Sequence, residues 1–462
     1  MKFISLVLAF ALLFTGCAGG IQNPGGTAQS ARDGKEPEKM SYTLSEPVYP
    51  EFPQQPVMPE EGGEQAWNAY SQAYDKYLDA LDALRGENAN ITEAEHAVLT
   101  AFAAKSAPLA IAGHEGENAI YSPLSLWFAL AMLAPCANGD SRLQVMTALN
   151  LENLDSLEEM ASHIWQTLYT DDGLSSLILA NSIWLNSGLE GNYVRDTLDT
   201  LAQKYFAGAY SVPMGTGEAD QAVTDWVKKQ TNGLIGGDSP VVETKAETLA
   251  LLASSLYYKA AWMDEFLPHL TQEDIFTDAA GNESRVDFMH KTHNANFIRR
   301  DGYQAAALST QLGEMVFVLP DEGVTPESLL EEPDFLSRLE FYGDAPIWGE
   351  VQWSVPKFDV NSDLGLLDAL AAMGITDLPN PEKADLSALT DLDAFLSDAK
   401  QLARVKVDEE GVEAAAVTIL GIAESAMPLP PEEVCVMDLN RPFLFVIYSN
   451  RIPLFVGVVN QL

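Results

Sequence analysis

Basic residues are scarce in this chain. Lys and Arg number 26 against 67 Asp and Glu, a formal net charge of −41 over 462 residues. Phosphate binding needs a basic surface, so no nucleic-acid partner is expected; the charge speaks to solubility and to attraction for basic partners, not to fold. Cysteine is nearly absent, with only Cys17, Cys136 and Cys435. A Cys136–Cys435 pair could form on number alone, but buried or half-buried free thiols are the expected state. Histidine is sparse too. His290-Lys291-Thr292-His293 holds the one close pair, with no thiolate or acidic ligand at suitable spacing, so no metal or other cofactor is expected. The chain lacks a Gly-x-Ser-x-Gly elbow, a Walker loop, a dinucleotide fingerprint and a His-Glu-x-x-His motif. Cys435 has no partnered histidine motif and is a poor nucleophile, so an enzyme is not expected.

What is present is enough apolar material for a large body. Hydrophobic residues make up 47% and charged residues 20%, which suits one large core plus an N-terminal appendage. Residues 1–16 read as a signal peptide: Lys2 supplies a positive start, and the apolar run over 3–14 is too short for an ordinary spanning helix. The run ends at Thr15-Gly16-Cys17, which resembles a bacterial lipobox, with Phe14 where leucine is commoner. The resemblance implies a lipid anchor on Cys17, membrane attachment without a transmembrane helix, and a cell-surface or extracellular location. Residues 17–63 are rich in Gly, Pro, Ser, Gln and Glu and read as a linker without a packed core. Residues 64–90 form a helical extension: Trp67, Tyr70, Tyr74 and Tyr77 recur at helical spacing, a stripe expected to dock on the body. The body occupies 91–462.

One stretch of the body stands apart. Asp408-Glu409-Glu410-Gly411-Val412-Glu413-Ala414-Ala415-Ala416 leads into small and β-branched residues that stop at Pro428 and the Pro430-Pro431 pair. Proline cannot continue a central strand, so the segment is strand-compatible yet bounded like a loop. Taken at period two, Val412, Ala414, Ala416, Thr418, Leu420 and Ile422 share one uncharged face. The segment from Gly411 to Ser425 would make a strand of roughly 45–50 Å at about 3.3 Å per residue.

This segment, with Asn440-Arg441-Pro442-Phe443-Leu444-Phe445 and the C-terminal Phe455-Val456-Gly457-Val458-Val459-Asn460, resembles the serpins. So do Ser122-Pro123-Leu124-Ser125, Trp226-Val227 through Thr231-Asn232-Gly233, and Pro356-Lys357-Phe358. The resemblance runs over about 95–460. It implies an α+β serpin fold: a large mixed main β-sheet, two further sheets, about nine helices, and an exposed reactive-centre loop at about 409–431. Glu409, Glu410, Gly411, Val412, Glu413, Ala414, Ala415 and Ala416 inherit the role of proximal hinge. Ser122 and Ser125 take the gate beneath the opening sheet, and Trp262 the packed tryptophan at its upper end. Two positions depart from the family, which usually has Asn where Ser254 stands and His where Gln401 stands. Since both change together, and a lone buried donor costs about 1–3 kcal/mol, a Ser254–Gln401 contact is expected.

The function implied is inhibition of serine proteases by a suicide substrate, with the chain a monomer. The alternatives are a non-inhibitory serpin acting as a carrier or chaperone, and a surface binding lipoprotein. The uncharged inward face over 412–422 favours inhibition. Hinge spacing places the scissile bond at Ser425-Ala426, with Glu424-Ser425 and Ala426-Met427 open. Met427-Pro428 is implausible because proline sits on the leaving side. A small residue at the cleavage point suits elastase-like or subtilisin-like proteases. Trypsin-like ones are not expected, since no Lys or Arg lies between Glu409 and Met437.

Overall fold

The computed structural model describes residues 42–59, 63–86, 90–233, 235, 240–332, 335–339, 341, 346–412 and 433–462, and the backbone alone of 4–11. The helix Pro123–Cys136 lies at the centre and is buried along its whole length. Its residues are apolar all round, which a helix tolerates only inside a core. Pro123 opens it with a preset backbone angle, and Ser122 caps it by accepting from the Ser125 N–H at 3.3 Å. The helix packs between two sheets, against strand Thr248–Ala261 on one side and Ile452–Val459 on the other.

The first sheet carries the functional architecture. Thr248–Ala261 is buried at every position but Lys259, as suits a largely apolar strand, interrupted by Ser254 and Ser255, that is covered on both faces. It pairs antiparallel with Ser176–Asn186, which pairs parallel with Ala207–Val212. Across the sheet Ala394–Val407 pairs antiparallel with Phe358–Gly365. Between Thr248–Ala261 and Ala394–Val407 lies one further strand position. At its upper end Gly411–Val412 is seated antiparallel to both neighbours. Lower down, the backbone of Ile4–Ala11 runs parallel to both.

The second sheet runs from Val434–Asp438 through Ile347–Pro356, Glu283–Arg300, Tyr303–Thr310, Gly313–Pro320, Phe443–Ser449 and Ile452–Val459 to Ala119–Tyr121. Two further sheets were expected; here the 18-residue strand Glu283–Arg300 makes them continuous. Nine α-helices complete the described residues, none long and apolar enough to cross a membrane.

The N-terminal arm departs from expectation in two ways. Part of the segment read as linker packs on the body: Thr43–Ser45 adds an edge strand to Ala207–Val212. Beyond it the Tyr49 ring stacks on Trp165 at 5.2 Å, and the Gln55 N–H donates to the Asp172 carbonyl at 2.9 Å. The helix Glu64–Arg85 forms, but its aromatic stripe does not dock as a whole. Only Tyr77 is buried, donating to Asp172 Oδ2 at 3.1 Å, whereas Trp67 is 46% exposed and meets Tyr70 edge-to-face along the helix.

Candidate functional site

The proximal hinge grows directly out of strand Ala394–Val407. Asp408 turns the chain, its N–H donating to the Gly411 carbonyl at 3.1 Å and its Oδ1 accepting from the Glu410 N–H at 3.1 Å. Glu409 is then held from two sides: Lys357 Nζ lies 2.8 Å from Oε2, and Thr271 Oγ1 donates to Oε1 at 2.8 Å. Burial pushes this carboxyl up, but the bonds from Lys357, its own backbone and Thr271 outweigh that and hold it below the usual glutamate range. Trp262 fastens the same turn. Its indole N–H donates to the Asp408 carbonyl and its backbone N–H to the Glu410 carbonyl, each at 3.0 Å.

Gly411 enters the sheet where no side chain fits. A Cβ there would stand 2.4 Å from the Ala260 carbonyl oxygen and 2.8 Å from Ala261 Cα. Val412 follows, fully buried, opposite Val407 on one side and Ala260 on the other. Gly411 and Val412, the latter the first residue of the uncharged face, thus already occupy the upper end of the strand position between Thr248–Ala261 and Ala394–Val407. Glu413, Ala414, Ala415 and Ala416, and the candidate cleavage residues Glu424, Ser425, Ala426 and Met427, lie outside the described residues, as does Cys17.

The gate is built differently from expectation. Gln401 does not meet Ser254. Its amide clasps the Ser122 peptide, Oε1 accepting from the Ser122 N–H at 2.7 Å and Nε2 donating to the Ser122 carbonyl at 3.0 Å. Ser122 Oγ in turn donates to Ser125 Oγ at 3.2 Å. Among the described residues Ser254 Oγ is buried without a partner, as is Ser255 Oγ beside it, and Asn181, directly across the ladder from Ser254, has no partner for its Oδ1. The Gln401 side chain reaches from its strand to the head of the central helix. That contact joins Ala394–Val407 to the core, leaving Thr248–Ala261 with unspent hydrogen-bonding groups.

Lys357 and Thr271, with the Phe266 N–H donating to the Glu409 carbonyl at 3.1 Å, complete the hinge clamp, a role that their sequence positions do not reveal. Lys357 was visible within Pro356-Lys357-Phe358; Thr271 carries no local signal. Cys136 and Cys435 are free and buried, their thiols pushed up to about 12 and about 11 by burial. Among the described residues no group of three His, Cys, Asp or Glu could hold a metal ion.

The family model of the serpins, described as serine protease inhibitors, matches residues 97–462. The chain belongs to the serpin family. Serpin-Z2B of Triticum aestivum is 30% identical over 369 residues, covering 75% of this serpin and 90% of the relative. The crystal structure of the thermophilic serpin tengpin in its native state superposes with a TM-score of 0.72 at 27% identity, over 81% of this chain and 95% of that one. Thyroxine-binding globulin in complex with thyroxine shares the fold, with a TM-score of 0.66 at 22% identity over 79% of this chain and 98% of that one. This serpin therefore has the fold of a family described as serine protease inhibitors.

Proposed function

We propose that this serpin inhibits serine proteases as a suicide substrate. The observation that carries the reading is the strand position between Thr248–Ala261 and Ala394–Val407, with Gly411–Val412 already seated antiparallel at its upper end. The protease serine attacks the Ser425 carbonyl, the ester forms, and the Ala426 amine leaves. The freed segment then extends the Gly411–Val412 strand, burying Ala414, Ala416, Thr418, Leu420 and Ile422. The bound protease is carried about 45 Å, the length of that strand at about 3.3 Å per residue. The new strand gains pairing on both edges, so the uncleaved state is held by kinetics. The small residues around Ser425-Ala426 favour elastase-like or subtilisin-like targets. Residues 1–16 are removed as a leader and Cys17 carries the lipid anchor, which places the body at the cell surface. Loss of the leader vacates the lower part of the strand position for the loop.

The chain lacking residues 1–17, mixed with pancreatic elastase and separately with subtilisin, tests this by denaturing gel and intact mass. A covalent complex with a released fragment beginning at Ala426 is the expected result. Clean cleavage without a complex by both proteases overturns inhibition in favour of carriage or binding.

A further inference from the structure

Trp348 is the most exposed large apolar side chain of the described body, at 66%. Register shows its neighbours. Residues directly opposite one another in a ladder project from the same face, and Trp348 lies opposite Asn296, Glu350 opposite Val434, and Gln352 opposite Val436. Val434 and Val436 are 38% and 48% exposed, while the alternate residues Val351, Trp353 and Cys435 are buried. Three adjacent strands therefore share a face on which the exposed apolar side chains Trp348, Val434 and Val436 stand among Asn296, Glu350 and Gln352.

Beside Trp348 is a hollow of about 400 Å³, whose walls include Met263, Phe341, His293 and Glu314. Its chemistry is one-sided. Glu314 makes no side-chain hydrogen bond or ion pair among the described residues, and His293 Nδ1 is buried without a partner. The cation lining the hollow, Lys291, is already committed to Asp264 Oδ2 at 2.6 Å. The hollow thus holds a carboxylate, Glu314, with no cation paired to it among the described residues.

The position of this face relative to the loop identifies its occupant. Val434 begins the strand on which the loop returns, about eight residues after the Ser425-Ala426 bond, or at most about 29 Å of extended chain. A protease of about 230 residues has a radius of gyration near 17 Å and is about 45 Å across. A body of that width gripping the loop overhangs the face.

We propose that this face is a second docking surface for the target protease, with Trp348 as its anchor and the hollow receiving a Lys or Arg side chain from the protease surface. The proposal rests on the inhibitory reading. Tryptophan is enriched among residues that dominate binding energy, and the net charge of −41 steers a basic partner inward.

The test measures the second-order rate of covalent complex formation between the mature chain and pancreatic elastase, a cationic protease, at two salt concentrations. Trp348→Ala should lower the rate about tenfold, and Glu314→Gln several-fold with a weaker salt dependence. Neither should change the number of inhibitor molecules consumed per complex, because loop insertion is untouched. Leu143→Ala, which removes an equally exposed apolar side chain elsewhere, should leave the rate alone, and unchanged thermal unfolding shows that each variant is folded. If complexes form at the wild-type rate in Trp348→Ala and Glu314→Gln, the docking face is overturned while inhibition stands. If instead the wild-type chain dimerises through this face and Trp348→Ala abolishes only the dimer, a second copy is the occupant and the proposal falls. If the wild-type chain forms no complex, inhibition fails and this proposal fails with it.

Discussion

Replacing Gln401 with Ala isolates the contact that ties the opening sheet to the central helix. The side chain is fully buried, and its amide supplies both a donor and an acceptor to the Ser122 peptide. The two losses are unequal. The Ser122 carbonyl still accepts from the Leu126 N–H at 3.3 Å, whereas the Ser122 N–H loses the acceptor held at 2.7 Å. An unsatisfied buried donor costs about 1–3 kcal/mol. The cavity left by the truncated side chain adds to that, for a total of roughly 3 kcal/mol. Because the native state is kinetically held, the appropriate assay is the unfolding rate in denaturant, with amide exchange at Ser122 alongside. A 3 kcal/mol loss expressed entirely in unfolding is about 150-fold in rate. Gln401→Glu sharpens the test: ionised, it keeps the acceptor but sets a carboxylate against the Ser122 carbonyl, and protonation restores a donor. That variant should unfold fast at neutral pH and more slowly on acidification, opposite to ordinary acid destabilisation. An unfolding rate within threefold of wild type for Gln401→Ala, with unchanged exchange at Ser122, refutes the reasoning.

Gly411→Ala should cost about 1–3 kcal/mol of hinge seating by overpacking against the Ala260 carbonyl, read as more inhibitor cleaved per complex formed. The Glu409 carboxyl has a depressed pKa in the folded state, so its contribution is present above the unfolded value of about 4.3 and lost as pH falls through the lower folded value. Unfolding rates of wild type should therefore rise below about pH 4 more steeply than those of Glu409→Gln; parallel pH profiles would show that the clamp contributes nothing. Tyr49→Ala should cost about 2 kcal/mol by unstacking the arm from Trp165 and Tyr169, seen as faster proteolysis within 42–57. Trp67→Ala, at an exposed position, should change stability by less than about 0.5 kcal/mol.

The features legible in the sequence are those set by neighbours along the chain. The cap at Ser122 and the proline after it define the start of the central helix through local geometry, and its unbroken apolar run dictates burial. The alternation beyond Gly411 marks a segment able to become a strand, and the Glu-Glu-Gly turn marks where it bends. The third dimension decided which partners meet. Gln401 clasps a peptide 279 residues away in preference to Ser254, because side-chain length and strand register determine reach, and neither can be read from the two residue types. Tyr49 and Phe52 sit in a segment of linker composition, yet Tyr49 stacks on Trp165 and packs tilted against Tyr169, and Phe52 lies edge-on to Tyr169. Burial of an aromatic depends on the surface that the remainder of the chain provides. Likewise the acidic turn is a local pattern, but its clamp by Lys357 and Thr271 exists only because folding brings three distant segments to the top of one sheet.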